Sequence, residues 1–65
     1  MQSKAKRKLA NAQKRYAQAQ ATTAQVRAAL ATGGSYVLYK LAVAEEDAAL
    51  QRLQAAQAEA EAEAA

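Results

Sequence analysis

Before the central glycines the apolar positions keep a seven-residue beat. Leu9, Tyr16, Thr23 and Leu30 recur at every seventh residue, and Ala12, Ala19 and Val26 fall three positions after the first three. That is the seam of a helix packing one stripe against a neighbour. Every Lys and Arg of this half lies off the stripe, as solvated positions should. Ser3 suits an N-cap, and Gly33 after Thr32 suits the left-handed residue that closes a helix. The pattern predicts one helix over about residues 4–32.

Beyond the glycines the pattern divides. Val37, Tyr39, Leu41 and Val43 alternate as strand residues do, and Tyr and Val favour strands. Pairing such a strand within residues 35–44 requires a turn, yet the run VLYKLA holds no Gly, Asn, Asp or Pro to make one. Read as helix, the segment is capped by Ser35 and continues to the end of the chain without a breaker. The expected fold is therefore all-α: an antiparallel helical hairpin with its turn at Gly33–Gly34. A first helix covers about 4–32, the turn 33–35 and a second helix about 36–63, within a single domain over 1–65. The alternative is α+β, two helices with a short β-hairpin near residues 35–44.

Two arms of about 28 residues end together when folded back on one another, each roughly 42 Å long. Matching their positions sets Leu30, Val26, Thr23, Ala19, Tyr16 and Ala12 opposite Val37, Leu41, Ala44, Ala48, Gln51 and Ala55. Small residues dominate that seam. Tyr39, Val43, Leu50 and Leu53 then form a second stripe on the C-terminal helix, turned away from the first, and an apolar stripe without cover predicts a partner. The candidate interface residues are accordingly Leu9, Tyr16, Val26, Leu30, Val37, Tyr39, Leu41, Val43, Leu50 and Leu53.

Composition sharpens this expectation. Of 65 residues 21 are alanine, and six Leu, three Val, three Tyr and one Met are the only side chains large enough to build a core. Chains this small usually need disulfides, a metal or association. With no Cys and no His, association is the remaining route. The basic start lacks an apolar run behind it, so no secretory signal is expected. The longest apolar stretch, YVLYKLAVA, falls short of a bilayer span and is interrupted by Lys40. These features assign no compartment.

Charge divides along the chain. Residues 1–32 carry seven cations and no acid, and residues 33–65 carry six acids against Lys40 and Arg52, a net +7 against −4. Each end opposes its helix macrodipole, since Lys4 to Lys8 lie at a helix start and Glu59, Glu61 and Glu63 at a helix end. Folded side by side the two ends attract and help to set the antiparallel register, although exposed pairs contribute little each.

Catalytic chemistry finds little support. Without His or Cys, the usual general bases, thiols and imidazole ligands are missing. The acids Glu45, Glu46 and Asp47 are adjacent on a helix and point in different directions, so they do not converge on a cation. ATGGSY lacks the spacing of a phosphate loop. No enzyme activity, cofactor, metal or small-molecule substrate is expected. Lys4, Lys6, Arg7, Lys8, Lys14 and Arg15 are the candidate contacts for a nucleic-acid backbone or an acidic surface. Nothing among them reads bases, and the acidic tail of the chain competes for them. Tyr16, Tyr36 and Tyr39 suit a seam or interface better than a stacking platform.

The segment AQVRAALATGGSYVLYKLAVAEEDAALQRLQAAQAE, about half the chain, resembles the small head-tail joining proteins of tailed bacteriophages. Gly33, Gly34, Ser35 and Tyr36 match that family's turn, Asp47 and Leu50 fall where its second helix opens, and LQRLQAA continues it. The resemblance implies a short β-hairpin between two helices and a non-enzymatic ring subunit between portal and tail, with a basic arm near the DNA path. Together these readings give a structural or assembly protein, partnered by copies of itself or by other proteins of a larger complex. The alternative is a basic helical protein that associates with nucleic acid without sequence specificity.

Overall fold

The computed structural model describes residues 3–65. Two helices, α1 (Lys4–Leu30) and α2 (Tyr36–Ala64), fold back on each other as an antiparallel hairpin. Both begin as their caps require. The Ser3 hydroxyl accepts from the Lys6 amide at 3.2 Å and the Ser35 hydroxyl from the Leu38 amide at 3.3 Å, each satisfying one amide that has no partner within the helix. Residues 36–44, the site of the alternative β-hairpin, are helical throughout. A segment with a cap and no turn residue satisfies its backbone locally, whereas a lone strand would leave it unpaired.

The turn starts earlier than the glycines alone indicated, with α1 ending at Leu30 rather than Thr32. Gly34 N–H donates to Ala29 O at 2.7 Å and Gly33 N–H to Leu30 O at 3.4 Å, the paired reverse bonds of a Schellman closure. The Thr32 amide and hydroxyl also donate to Ala29 O, at 3.0 and 3.2 Å. The two glycines act differently. Gly33 takes φ +92°, in open space, where a side chain is strained by its backbone angle. Gly34 lies so close to α1 that a Cβ would come within 2.8 Å of the Ala29 carbonyl.

On α1 the seven-residue seam is the covered face: only Ala5, Leu9, Ala12, Tyr16, Ala19, Thr23, Val26 and Leu30 are buried or partly buried. On α2 the covered face is not the expected one. Tyr39, Val43, Leu50 and Leu53 turn towards α1 and are partly buried, beside the buried Ala42, Ala49 and Ala56. Val37, Leu41, Ala44, Gln51 and Ala55 face outward, and of the expected partners only Ala48 is partly covered. The along-axis register is close to the one expected, since Lys8 meets Glu59 and Thr23 meets Ala42; it is the rotation of α2 that differs. The physical reason is area. The chosen face holds four large apolar residues against two on the rejected one, and burial free energy follows apolar area.

That rotation also makes large side chains meet small ones. From the Thr23–Ala42 contact, one heptad along brings Tyr16 level with Ala49, and a second brings Leu9 level with Ala56. The Thr23 hydroxyl lies 3.0 Å from Ala19 O and 3.3 Å from Ala42 O, so the one buried polar side chain among the described residues bridges the helices. The seam is thin. Its buried members are Ala5, Ala42, Ala49, Ala56 and Thr23, and among the described residues no large side chain is fully buried.

Candidate assembly and charge surfaces

α2 begins with a run that is apolar all round. Tyr36, Val37, Leu38, Tyr39 and Leu41 project in several directions from one turn and a half of helix, and a single neighbouring helix covers only one of them. Tyr39 is partly buried, with the Arg27 guanidinium 6.0 Å from its ring centroid. The others stay open: Tyr36 is 61% exposed, Val37 66%, Leu38 57% and Leu41 56%. Tyr36 lies 6.1 Å from Tyr39, centroid to centroid, and carries Lys40 Nζ at 5.5 Å.

Of the ten expected interface residues, the structure therefore places Leu9, Tyr16, Val26, Leu30, Tyr39, Val43, Leu50 and Leu53 in the seam between the two helices, and Val37 and Leu41 on the open surface. Tyr36 and Leu38 complete the open patch but were absent from the expected set. Their signal was present in the sequence. A helical segment apolar on every side needs cover on more than one.

The patch does not stop at the turn. Val37, Leu41, Ala44, Ala48, Gln51, Ala55, Ala58 and Ala62 follow one another at alternating spacings of four and three along α2, the spacing of a second seam. All are exposed except the partly covered Ala48. α2 thus carries two heptad faces, and α1 occupies one of them. α1 has no counterpart, because its four large apolar residues all lie in the seam.

The basic candidates Lys4, Lys6, Arg7, Lys8, Lys14 and Arg15 are all exposed. One of them is paired: Lys8 Nζ sits 3.2 Å from Glu59 Oε2, with both side chains more than half exposed. Arg15 and Arg52 line the same two open clefts on one flank of the hairpin, of about 410 and 620 Å³. Two guanidinium groups therefore share one level of the fold, while Glu59 is engaged by Lys8 a heptad away and Glu45 stands a heptad away on the other side. Glu46 lies in the seam while its neighbours Glu45 and Asp47 are exposed, so the three acids diverge, and among the described residues no cluster of three or more potential metal ligands forms. No helix among the described residues is long and apolar enough to cross a membrane.

Comparisons with protein families, with curated proteins and with solved structures find no match to this chain.

Proposed function

We propose that this protein is a non-catalytic assembly subunit, a helical hairpin that completes its apolar contacts against further copies of itself. The observation that carries the reading is the open patch of Tyr36, Val37, Leu38 and Leu41 on a molecule that fully buries no large side chain among its described residues. Its overall dimensions support the same reading. The hairpin measures 49 × 18 × 11 Å with a radius of gyration of 14.9 Å, where a compact domain of this length has about 11 Å. Its surface of 5011 Å² exceeds by roughly 1,000 Å² the area of about 4,000 Å² typical of a compact monomer of this mass.

The resemblance to head-tail joining proteins supports a narrower setting, a subunit of a tailed-phage virion, which we propose on that resemblance alone. The helix at residues 36–44 departs from that family's β-hairpin. Sedimentation velocity across a hundredfold concentration range, paired with thermal melts, tests the assembly reading. Concentration-dependent mass and melting temperature are expected. A cooperatively folded monomer whose melting temperature ignores concentration refutes it.

A second reading is favoured by the exposed cations of α1. It assigns Lys4, Lys6, Arg7, Lys8, Lys14 and Arg15 to a nucleic-acid backbone, without base recognition. Titration of a labelled duplex would show affinity falling steeply with salt and disappearing when Lys4, Lys6, Arg7 and Lys8 are neutralised. Binding that ignores salt or survives those changes refutes it.

A further inference from the structure

We infer that the outer face of α2 is a homodimer interface, mated antiparallel with the same face of a second copy in one register. The inference rests on the assembly reading and gives it a surface, a partner and a geometry. A second copy is the occupant because the face complements itself in both shape and charge.

Shape comes first. The face is bulky at one end, with Val37 and Leu41, and small at the other, with Ala58 and Ala62. Antiparallel pairing sets Leu41 of one copy over Ala58 of the other, Val37 over Ala62, and Ala44 over Ala55, twice by symmetry. Large meets small at both ends, as in the seam inside the hairpin. Gln51 falls beside Ala48 of the other copy, close to the two-fold axis. A single polar residue within such a seam helps to specify register.

Charge then selects that register. Within the hairpin, the level of Thr23 with Ala42 and the flanking Lys8–Glu59 pair show how flanking positions follow from the buried layers. The same offset applied to the outer face puts Lys40 against Glu61 of the other copy, and the equal and opposite offset of the second flank puts Arg52 against Glu45 of the other copy, each occurring twice. Sliding one copy by a heptad in one direction places Glu45 on Glu45 and Asp47 on Asp47. Sliding it in the other places Arg52 on Arg52 and Glu45 on Glu59. Both neighbouring registers are therefore repulsive. A parallel dimer would crowd Glu59, Glu61 and Glu63 of both copies at one end, whereas the antiparallel one places Glu61 of each tail beside the other copy's Lys40. The arrangement also gives Arg52, which shares two clefts with Arg15 of its own chain, an acid in the second copy. The surface excess of roughly 1,000 Å² per chain is close to the about 800 Å² that each partner contributes to a standard interface.

The test mixes two single variants of the full chain, Ala44→Cys and Ala55→Cys, in a protein that has no cysteine of its own. Both positions are exposed, so the hairpin tolerates them. After mild oxidation, mass spectrometry of the linked peptides should show the 44–55 heterodisulfide several-fold above the yield of random pairing. Dominant 44–44 and 55–55 disulfides would mean a parallel dimer and overturn the inference. Cross-linking no greater than that of an Ala17→Cys control on α1, in a sample that still sediments as an oligomer, overturns this surface but leaves the assembly reading intact. A monomeric sample overturns both. As an independent check, Arg52→Glu should weaken association at least tenfold, and Glu45→Arg added to it should restore association. The double swap fails to rescue a parallel dimer, in which it sets Glu45→Arg against Lys40.

Discussion

Replacing Gly34 by alanine tests the turn more sharply than any change in the helices. The added Cβ would lie 2.8 Å from both the carbonyl carbon and the oxygen of Ala29 and 3.0 Å from its Cβ. These atoms belong to the last turns of α1 and cannot swing aside as a flexible side chain would. Relief requires Gly34 to withdraw, which breaks its 2.7 Å bond to Ala29 O, a loss of about 0.5–1.5 kcal/mol. Displacing packed backbone adds about 1–3 kcal/mol, and a stiffer unfolded chain returns about 0.4–1 kcal/mol. The net is a destabilisation of about 2 kcal/mol. At about 4–8 °C per kcal/mol for a small domain, the melting temperature should fall by about 8–16 °C.

Gly33 is the internal control. Its neighbourhood is empty and only its φ of +92° resists a side chain, so Gly33→Ala pays about 1–2 kcal/mol of left-handed strain, less the same unfolded-state gain. Gly33→Asn should recover part of that loss, since Asn tolerates the left-handed region. Helix melts followed by circular dichroism at one fixed protein concentration order the three variants. Should Gly34→Ala melt within a degree or two of the parent, or should Gly33→Ala prove the more damaging, the close approach of Gly34 to Ala29 does not hold the hairpin closed.

Three further changes probe the seam and the flanking charges. Ala49→Leu forces a large side chain opposite Tyr16, and should destabilise by about 1–3 kcal/mol through overpacking; urea melts that show no loss would contradict tight helix approach at this level. Lys8→Ala removes an exposed pair and should lower stability by only about 0.2–1 kcal/mol, an effect that vanishes in high salt. Arg15→Glu turns the like-charged level shared with Arg52 into an opposite-charged one, and should raise stability by up to about 1 kcal/mol at low ionic strength. Denaturant titration at two salt concentrations checks both charge variants.

The helical architecture was legible because the caps and the missing turn residues outweighed the strand-like alternation of Val37, Tyr39, Leu41 and Val43. Ser3 and Ser35 stand where caps are needed, no proline interrupts either arm, and α1 places all its large apolar residues on one stripe. The register along the hairpin was legible too, because two arms of nearly equal length leave little freedom in how they align. The rotation of α2 was not. Both of its faces keep a heptad spacing, and pairing Val26 with Leu41 or with Tyr39 is a choice between opposite faces of one helix. Periodicity says that both faces want cover, while area decides which one α1 takes, through Leu50 and Leu53 in the second half of the helix. The close of α1 was legible from its glycines: Gly33 takes the left-handed φ expected after Thr32, and the Gly34 and Thr32 donors converge on Ala29 O.

The distribution of large side chains connects this ambiguity to function. α1 holds four of them, Leu9, Tyr16, Val26 and Leu30, and α2 holds eight. One helix with four on a single stripe cannot cover another with eight spread over two, so a two-helix fold leaves apolar surface over by construction. If α2 mates with α2 of a second copy, the helices lie in the order α1, α2, α2, α1. The acids of α2 are then drawn to the middle, where Glu45 and Glu61 meet cations, and the cations of α1 stay on the two outer faces. An assembly of this kind would present Lys4, Lys6, Arg7 and Lys14 from two copies at once, which strengthens attraction to any polyanion through summed contacts. Association and backbone binding would then be coupled: variants that dissolve the dimer, such as Arg52→Glu, should also weaken duplex binding, although Arg52 lies on the helix opposite that basic set.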